Sequence, residues 1–145
     1  MDTKEEMISM DKDPPMIPVT VVTNISHERM VDLIVGAFEG GSTSWLSRAA
    51  SPFLPQVPGI EFNNPAYSDT RFWRAGGQMI LTYDNPGKGP KQLTKAVRNI
   101  ELIQGLQIMA QQYPRHFADF MHENDDADTA DVFMQCVVLG EVVYG

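Results

Sequence analysis

The fold class is decided by the stretch Gln78-Met-Ile-Leu-Thr-Tyr-Asp-Asn-Pro-Gly-Lys-Gly89. Its first half is rich in aliphatic, β-branched and aromatic residues, a composition typical of a β-strand. Its second half combines asparagine, proline and glycine, which together favour a turn. We therefore expect a strand over Gln78–Asp84, a turn over Asn85–Gly89 and a short return strand at Lys91–Leu93.

On the N-terminal side of this hairpin, the sequence predicts another strand followed by a helix. The run Pro18–Asn24, with Val19–Thr23 at its centre, is β-branched and is bounded by proline and asparagine. Ser26 is placed to cap a helix, and the pair Gly40-Gly41 is placed to end it. Between them, apolar residues recur at helical spacing: Met30, Leu33, Ile34, Ala37 and Phe38.

The C-terminal side of the hairpin is predicted to be mainly helical. A long amphipathic helix is expected from a cap at Thr94 to Pro114, which stops it and opens a shorter helix. In the shorter helix, the inward-facing residues are expected to be Phe117, Phe120 and Met121. A last helix is expected to begin at Asp128 or Thr129 and to end at Gly140.

The last helix carries the predicted buried stripe Val132, Phe133, Cys136 and Val137, and Glu141–Tyr144 is expected to add a terminal strand. These elements define an α+β fold with three main helices packed on a small, mostly antiparallel sheet. Residues Gly41–Gly77 show no such periodicity and form a long irregular segment in the middle. Segments of this kind are usually functional in compact domains.

The ends of the chain and its cysteine content bound its organisation. The acidic leader, residues 1–16, is expected to be disordered, and residues 17–145 are expected to form one domain. The single Cys136 excludes an internal disulfide and favours a reduced, buried thiol. Because the sequence also shows no signal-peptide pattern and no run of eighteen apolar residues, we expect a cytoplasmic protein without membrane association.

The charges are distributed unevenly along the chain. Residues 1–41, 42–98 and 99–145 carry net charges of −5, +4 and −7, within an overall charge of −8. An acidic chain with one local cationic region argues against general nucleic-acid binding and favours a small anionic ligand. Arginine, glycine amides and flat aromatic rings are suited to a phosphorylated, base-bearing molecule. The candidate ligand-binding residues are Gly41, Ser42, Thr43, Trp45, Arg48, Arg71, Trp73, Arg74 and Asp126.

Each candidate also has a structural interpretation. The Gly41-Ser42-Thr43 run binds phosphate only if a new helix begins at Ser42 or Thr43, and otherwise it merely ends the preceding helix. A short helix would place Ser42, Trp45 and Arg48 along one side, whereas Trp45 is equally typical of a core residue.

A strand or turn at Arg71–Arg74 would present Arg71 and Trp73 on the same face. Asp126 is a candidate for gripping a ribose hydroxyl, although helix capping explains most of the acidic run Asn124–Asp131. That run lacks the glycine and glutamate of a calcium loop, and the three histidines form no zinc motif, so no metal or other cofactor is expected. Nothing in the sequence requires catalysis, and we expect a protein that is not an enzyme.

Six blocks occur in order along Ile17–Gly145 and carry a resemblance. They are Ile25-Ser-His-Glu-Arg29, Ala37-Phe-Glu-Gly-Gly-Ser42, Phe72-Trp73 with Gly76-Gly77, Tyr113-Pro-Arg-His-Phe117, Asp126-Ala-Asp-Thr-Ala-Asp131 and Gly140-Glu-Val-Val-Tyr-Gly145. Together they resemble a family of small proteins encoded in phages and prophages of bacteria. The resemblance implies a counter-defence role of the sponge type, in which a phage protein sequesters a nucleotide immune signal of Thoeris or CBASS defence.

Two functional classes therefore follow from the sequence. The first is a non-catalytic, homo-oligomeric protein that sequesters a cyclic ADP-ribose derivative or a cyclic dinucleotide. Its self-association is expected because the aromatic residues Trp45, Phe53, Phe62 and Trp73 would otherwise face water. The alternative is an acidic protein-protein inhibitor or nucleic-acid mimic that acts on a host factor through the two terminal thirds.

Overall fold

Three strands form an antiparallel sheet in the order β1-β2-β3, in a computed structural model that describes residues 14–145. The strands are β1 (Leu46–Ala50), β2 (Met79–Asp84) and β3 (Gln92–Val97). Tyr83 of β2 pairs with both outer strands, facing Leu46 on one side and Leu93 on the other. The predicted hairpin is confirmed, and its return strand is longer than predicted.

Within residues 14–145 five helices accompany the sheet, and the α+β fold class is confirmed. They are α1 (His27–Gly36), α2 (Thr70–Arg74), α3 (Asn99–Gln112), α4 (Pro114–Met121) and α5 (Ala127–Leu139). A π-helical turn, Ala37–Gly41, extends α1, and a 3-10 turn, Ala66–Ser68, precedes α2.

Several helix ends follow their local sequence signals. Ser26 caps α1 by accepting a hydrogen bond from the main-chain N–H of Arg29, Pro114 opens α4, and Gly140 ends α5 in the left-handed conformation at φ 79°. The cap predicted at Thr94 is wrong, because β3 continues to Val97 before α3 begins. The cap of α5 is Asp126, two residues earlier than predicted.

Helix α5 lies at the centre of the core. It is apolar on nearly all sides, which is typical of a helix surrounded by other elements. The predicted stripe is buried, and so are the residues between its members; the buried set is Thr129, Ala130, Val132, Phe133, Met134, Gln135, Cys136, Val137 and Val138. Helices α1 and α3 and the π-helical turn all contact α5, so most of the fold is organised around it.

Close helix contact with α5 depends on small residues. A Cβ at Gly105 of α3 would overlap the side chain and main chain of Val137, and a Cβ at Gly36 of α1 would stand 3.0 Å from the Cβ of Ala130. The two helices therefore approach α5 more closely than larger residues would allow. A side chain of the sheet also reaches α5. Lys95 of β3 donates to the carbonyl oxygens of Val137 and Val138, with Nζ–O distances of 3.0 and 3.3 Å.

Several expectations about irregular regions are wrong. Val19–Thr23 is exposed and lies outside the sheet, whose edge strands in the described residues are β1 and β3. Glu141–Tyr144 forms no strand, because the N–H groups of Val143 and Tyr144 donate to the side chain of Gln135 instead of to a neighbouring strand. Arg71–Arg74 lies in the short helix α2 rather than in a strand or turn. Met121, expected to face inward, is 39% exposed. Residues 1–13 of the predicted leader lie outside the described residues, and residues 14–16 are exposed.

A helix that crosses a bilayer needs about 20 consecutive, mostly apolar residues. Within residues 14–145, none of the helices combines the length and apolar character needed to cross a bilayer.

The contact between α3 and α5 yields a stability prediction. Gly105→Ala should lower the free energy of unfolding by about 1–3 kcal/mol, because the added methyl group overpacks the core against Val137. Urea denaturation followed by circular dichroism measures this change. Gly40→Ala is the matched control, since a Cβ there meets no atom within 4 Å. Equal stability of the two variants would contradict the proposed contact.

Candidate functional site

The segment between α1 and β1 is fixed against the start of α5. Gly41 ends the π-helical turn so close to α5 that a Cβ there would overlap the carbonyl oxygen of Ala127. Ser42 is fully buried, and its hydroxyl donates to Oδ1 of Asp131 at 2.8 Å. Residues 42–45 form a turn and Leu46 begins β1, so no new helix starts at Ser42 or Thr43, and the alternative interpretation, that this run ends the preceding helix, is confirmed.

Trp45 is a core residue in this arrangement. Its indole is 2% exposed, and its Nε1–H donates to Oδ1 of Asp131 at 2.7 Å. One ring face stacks on Tyr144 at 5.8 Å between centroids, and Tyr83 meets the ring edge-on at 6.4 Å. Because protein atoms cover the ring, a ligand base cannot stack on Trp45 in this conformation.

Gln135 completes the polar cluster beside Trp45. Its side chain is fully buried, and its Nε2 donates to Oδ2 of Asp131 and to the carbonyl oxygen of Tyr144, both at 2.9 Å. Its Oε1 accepts from the main-chain N–H groups of Val143 and Tyr144 at 2.8 and 2.9 Å. Every donor of the Gln135 amide is thus paired, and the C-terminal segment is held against α5.

Asp126 and Thr43 use their polar groups within the protein. Asp126 accepts from the main-chain N–H of Thr129 at 3.0 Å, and this bond is the main cause that lowers the pKa of its carboxyl group. The Thr43 hydroxyl donates to the carbonyl oxygen of Gly40 at 2.9 Å. The acidic run does cap α5, but through Asp126 rather than through the expected Asp128 or Thr129, and a contact of Asp126 with ribose stays a prediction.

Arg71 is joined to a buried carboxylate. Asp69 is 3% exposed and receives Nε and Nη2 of Arg71 at 3.0 and 2.7 Å. The same carboxylate accepts from the main-chain N–H groups of Asn63 and Arg71, so it caps α2 and anchors the preceding loop. The Arg71 guanidinium is the largest cause that holds the pKa of Asp69 well below its usual range.

The neighbouring candidates differ in their exposure. Trp73 is 1% exposed and donates from Nε1 to the carbonyl oxygen of Tyr67 at 2.9 Å. Arg74, one residue later, is exposed. The tertiary structure therefore brings Gly41, Ser42 and Trp45 together at the start of α5, and holds Arg71 at a separate carboxylate.

Arg48 lies on the solvent-facing side of the sheet. Along β2 the residues Leu81 and Tyr83 are buried, so Thr82 between them faces the opposite side. The register places Arg48, Thr82 and Thr94 in one row across the three strands. The neighbouring row carries Ala50, Ile80 and Ala96, and these six residues are termed the outer sheet face.

Two of the four aromatic residues that were expected to need a second subunit to cover them are buried by the chain itself. Trp45 and Trp73 are buried by the protein's own core, and Phe62 is half-buried against it. Phe53 is 79% exposed. The two tryptophans therefore give no support for self-association, which stays a prediction.

Cys136 lies on α5, the helix that also carries Asp131 and Gln135. Cys136 is buried as predicted, and burial raises the pKa of its thiol to about 12, so it is protonated at neutral pH. Among the residues that the structure describes, no group of three or more His, Cys, Asp or Glu side chains is placed to hold a metal ion.

Comparison with known proteins gives no assignment. No protein-family model and no curated protein matches the sequence, and no solved structure matches the fold.

The residues that organise this region lie outside the candidate set. Asp131 was placed only within an acidic run, and Gln135 and Tyr144 received no role. Gln135 did carry a signal, since it is a polar residue inside the otherwise apolar run Val132–Leu139. A buried amide requires hydrogen-bond partners, but the sequence does not say which ones.

The role of Gln135 yields a second prediction. Gln135→Met keeps much of the side-chain volume but removes the acceptor of the main-chain N–H groups of Val143 and Tyr144, which should cost about 1–3 kcal/mol of stability. Hydrogen exchange should become faster at these two amides before the rest of the core is affected. Gln107→Met, at an exposed position of α3, is the control. Unchanged exchange in the Gln135 variant would show that the segment is held by other contacts.

The Asp69–Arg71 pair yields a third prediction. Because the folded-state pKa of Asp69 is depressed, its contribution to stability is present above the unfolded pKa and is lost as the pH falls through the folded value. The native protein should therefore lose stability on acidification below about pH 4 more steeply than Asp69→Asn. Urea titrations at several pH values give the slopes. Asp84→Asn, which alters an exposed carboxylate, should retain the native slope.

Proposed function

We propose that this protein is a non-catalytic binding protein that sequesters a small, phosphate-bearing nucleotide signal. In agreement with the resemblance to phage proteins, the proposed setting is the cytoplasm of a bacterial host whose antiviral defence uses such a signal. The proposed ligand class is a cyclic ADP-ribose derivative or a cyclic dinucleotide. The proposed binding surface is the outer sheet face, centred on Arg48.

The observation that carries this proposal is the separation of exposed charges in the folded chain. Within residues 14–145, six of the seven exposed Lys and Arg residues lie between positions 46 and 98; the six are Arg48, Arg71, Arg74, Lys88, Lys91 and Arg98. Seven of the nine exposed carboxylates lie outside that range; the seven are Glu28, Asp32, Glu39, Glu123, Asp126, Asp128 and Glu141. An anionic ligand is therefore attracted to the part of the chain between positions 46 and 98 rather than to the parts on either side of it.

The outer sheet face offers both kinds of contact that a nucleotide needs. Arg48 supplies a planar donor fork for phosphate, and the hydroxyl groups of Thr82 and Thr94 lie in the same row. The adjacent row, Ala50, Ile80 and Ala96, supplies a small apolar surface for a base. The outer sheet face is an open surface, and in this proposal it forms one wall of the binding pocket.

Sequestration also predicts the chemical fate of the ligand. The described residues around Arg48 are hydroxyl, amide and aliphatic groups, and the buried thiol of Cys136 is protonated. A ligand held there is stored, and it should be recovered unchanged when the protein is denatured by heat.

Calorimetry with pure protein tests this proposal. Cyclic dinucleotides, ADP-ribose and its cyclic derivatives serve as probes, and Arg48→Ala should weaken the binding of the preferred probe by about tenfold or more. Thr82→Val should weaken it by a smaller factor because one hydroxyl contact is lost. Arg115→Ala, at an exposed cation on α4, is the matched control and should bind normally.

Two results would overturn the sequestration proposal. The first is the absence of any probe that binds more tightly than about 100 μM, which is too weak to lower a signal at micromolar concentration. The second is the recovery of a chemically altered compound from the denatured complex.

A second function, inhibition of a host factor through an acidic surface, is supported by the contacts of Arg29. Its Nη1 lies 3.2 Å from Asp32 of α1, and its Nη2 lies 2.9 Å from Asp125 of the α4–α5 loop. These bonds, chiefly the one to Asp125, raise the pKa of Arg29 and join two acidic segments that are distant in sequence. The exposed carboxylates Glu28 and Asp128 flank this junction in the sequence.

The two functions differ in the variants that abolish them. In bacteria that carry a nucleotide-signalled defence, Arg48→Ala should abolish protection of an infecting phage if the protein is a sponge. The double variant Glu28→Gln with Asp128→Asn should abolish it if the protein is an acidic inhibitor. Loss with the second variant and normal function with the first would replace sequestration by the inhibitor function.

A further inference from the structure

The N-terminal part of the described chain is an exposed apolar segment. From Pro14 to Ser26 the sequence contains no charged residue. Five large side chains in this segment are at least three-quarters exposed: Met16 at 92%, Ile17 at 81%, Val19 at 76%, Val21 at 78% and Val22 at 88%. Scattered exposed apolar residues are ordinary, but a continuous run of this kind marks an interaction surface.

The main chain of this segment is also unpaired within the described structure. Among residues 14–145, no hydrogen bond involves the main-chain groups of Ile17–Thr23. The segment borders an open groove of about 660 Å³, whose other wall includes Ile103, Leu106 and Phe117 of α3 and α4. The sequence predicts a strand here because the segment is β-branched. Within residues 14–145, however, the segment has no neighbouring strand.

We propose that Ile17–Thr23 pairs with the same residues of a second copy of this chain to form an antiparallel β-ribbon. Identical uncharged segments can pair around a twofold axis without placing like charges opposite each other. The pairing would satisfy the main-chain groups that are open in the described structure. This inference concerns assembly and does not depend on the identity of any ligand.

Pro18 determines which edge of the segment pairs. In an extended strand, alternate N–H groups point to opposite edges, so those of Ile17, Val19, Val21 and Thr23 share one edge. Pro18, which has no N–H group, belongs to the other edge, where it costs no hydrogen bond. Pairing through the first edge with full overlap of Ile17–Thr23 places the twofold axis at Thr20, so that Val19 faces the partner's Val21.

The neighbouring helix provides a surface that supports such a ribbon. A two-stranded ribbon is marginally stable alone and needs an apolar face against which to pack. Helix α3 offers Ile100 and Ile103, which are 52% and 36% exposed. In an extended strand Ile17, Val19 and Val21 share one face, so these three side chains of each segment can pack against the apolar residues of α3.

Sedimentation of the full chain, with a pair of proline variants, tests the ribbon. The native protein should be a dimer at about 10 μM, and Val21→Pro should raise its dissociation constant at least tenfold because an N–H on the pairing edge is removed. Val22→Pro changes the next residue, whose N–H lies on the outer edge, and should leave the constant within about threefold. Circular dichroism confirms that both variants fold.

Disulfide cross-linking tests the register directly. Thr20→Cys should form an intermolecular disulfide under mild oxidation, since residues facing each other in a non-hydrogen-bonded pair have Cα atoms about 4.5 Å apart. Val22→Cys is the control, because its Cα atoms would be about 13 Å apart across the axis, beyond the reach of a disulfide. The native Cys136 is buried and does not compete.

Three outcomes would overturn the proposal. One is a monomeric native protein, and another is a dimer on which Val21→Pro and Val22→Pro have equal effects. The third is cross-linking of Thr20→Cys that is no faster than that of Val22→Cys, which would place the segment against a different surface, such as the edge strand β3. Selective weakening by Val21→Pro together with selective cross-linking at residue 20 supports the ribbon.

Discussion

Asp131 and Gln135 lie one turn apart on α5, and their hydrogen bonds join three parts of the chain that are distant in sequence. Asp131 receives Ser42 and Trp45 from the segment before β1. Gln135 binds Asp131 and holds the main chain of Val143 and Tyr144. Tyr144 in turn stacks on Trp45. The polar groups of an apolar helix thus specify how the sheet and the C-terminal segment attach to it.

Such a network stabilises one arrangement only when its buried groups are paired. In a medium of low polarity each hydrogen bond is strengthened, but each unpaired donor or acceptor is costly. The Gln135 amide meets this condition, because both of its donors and its oxygen have partners. The network therefore adds orientation to a helix whose apolar residues alone would allow several similar positions.

The network also constrains function. It places Trp45 inside the core, and a second anchor, the Asp69–Arg71 pair, positions α2 while Trp73 is buried beside Tyr67. The two tryptophans of the middle segment are therefore structural. The outer surface of the sheet presents Arg48 and the row of threonines, while most of the exposed carboxylates of the described residues lie outside positions 46–98. This separation of charge is the physical basis for proposing an anionic ligand.

The sequence by itself determined the elements whose signals are local: the caps at Ser26 and Gly140, the strand Met79–Asp84, the opening of α4 at Pro114 and the burial of Cys136. Capping, turn formation and apolar periodicity act between residues a few positions apart, so they can be read from the chain. The tertiary structure decided the partners. Only folding brings Asp131 to Ser42 and Trp45, and only the tertiary structure shows that, among residues 14–145, Val19–Thr23 lies outside the sheet. A tryptophan between arginines has the same sequence signature in a core as in a pocket, because burial depends on contacts across dozens of residues.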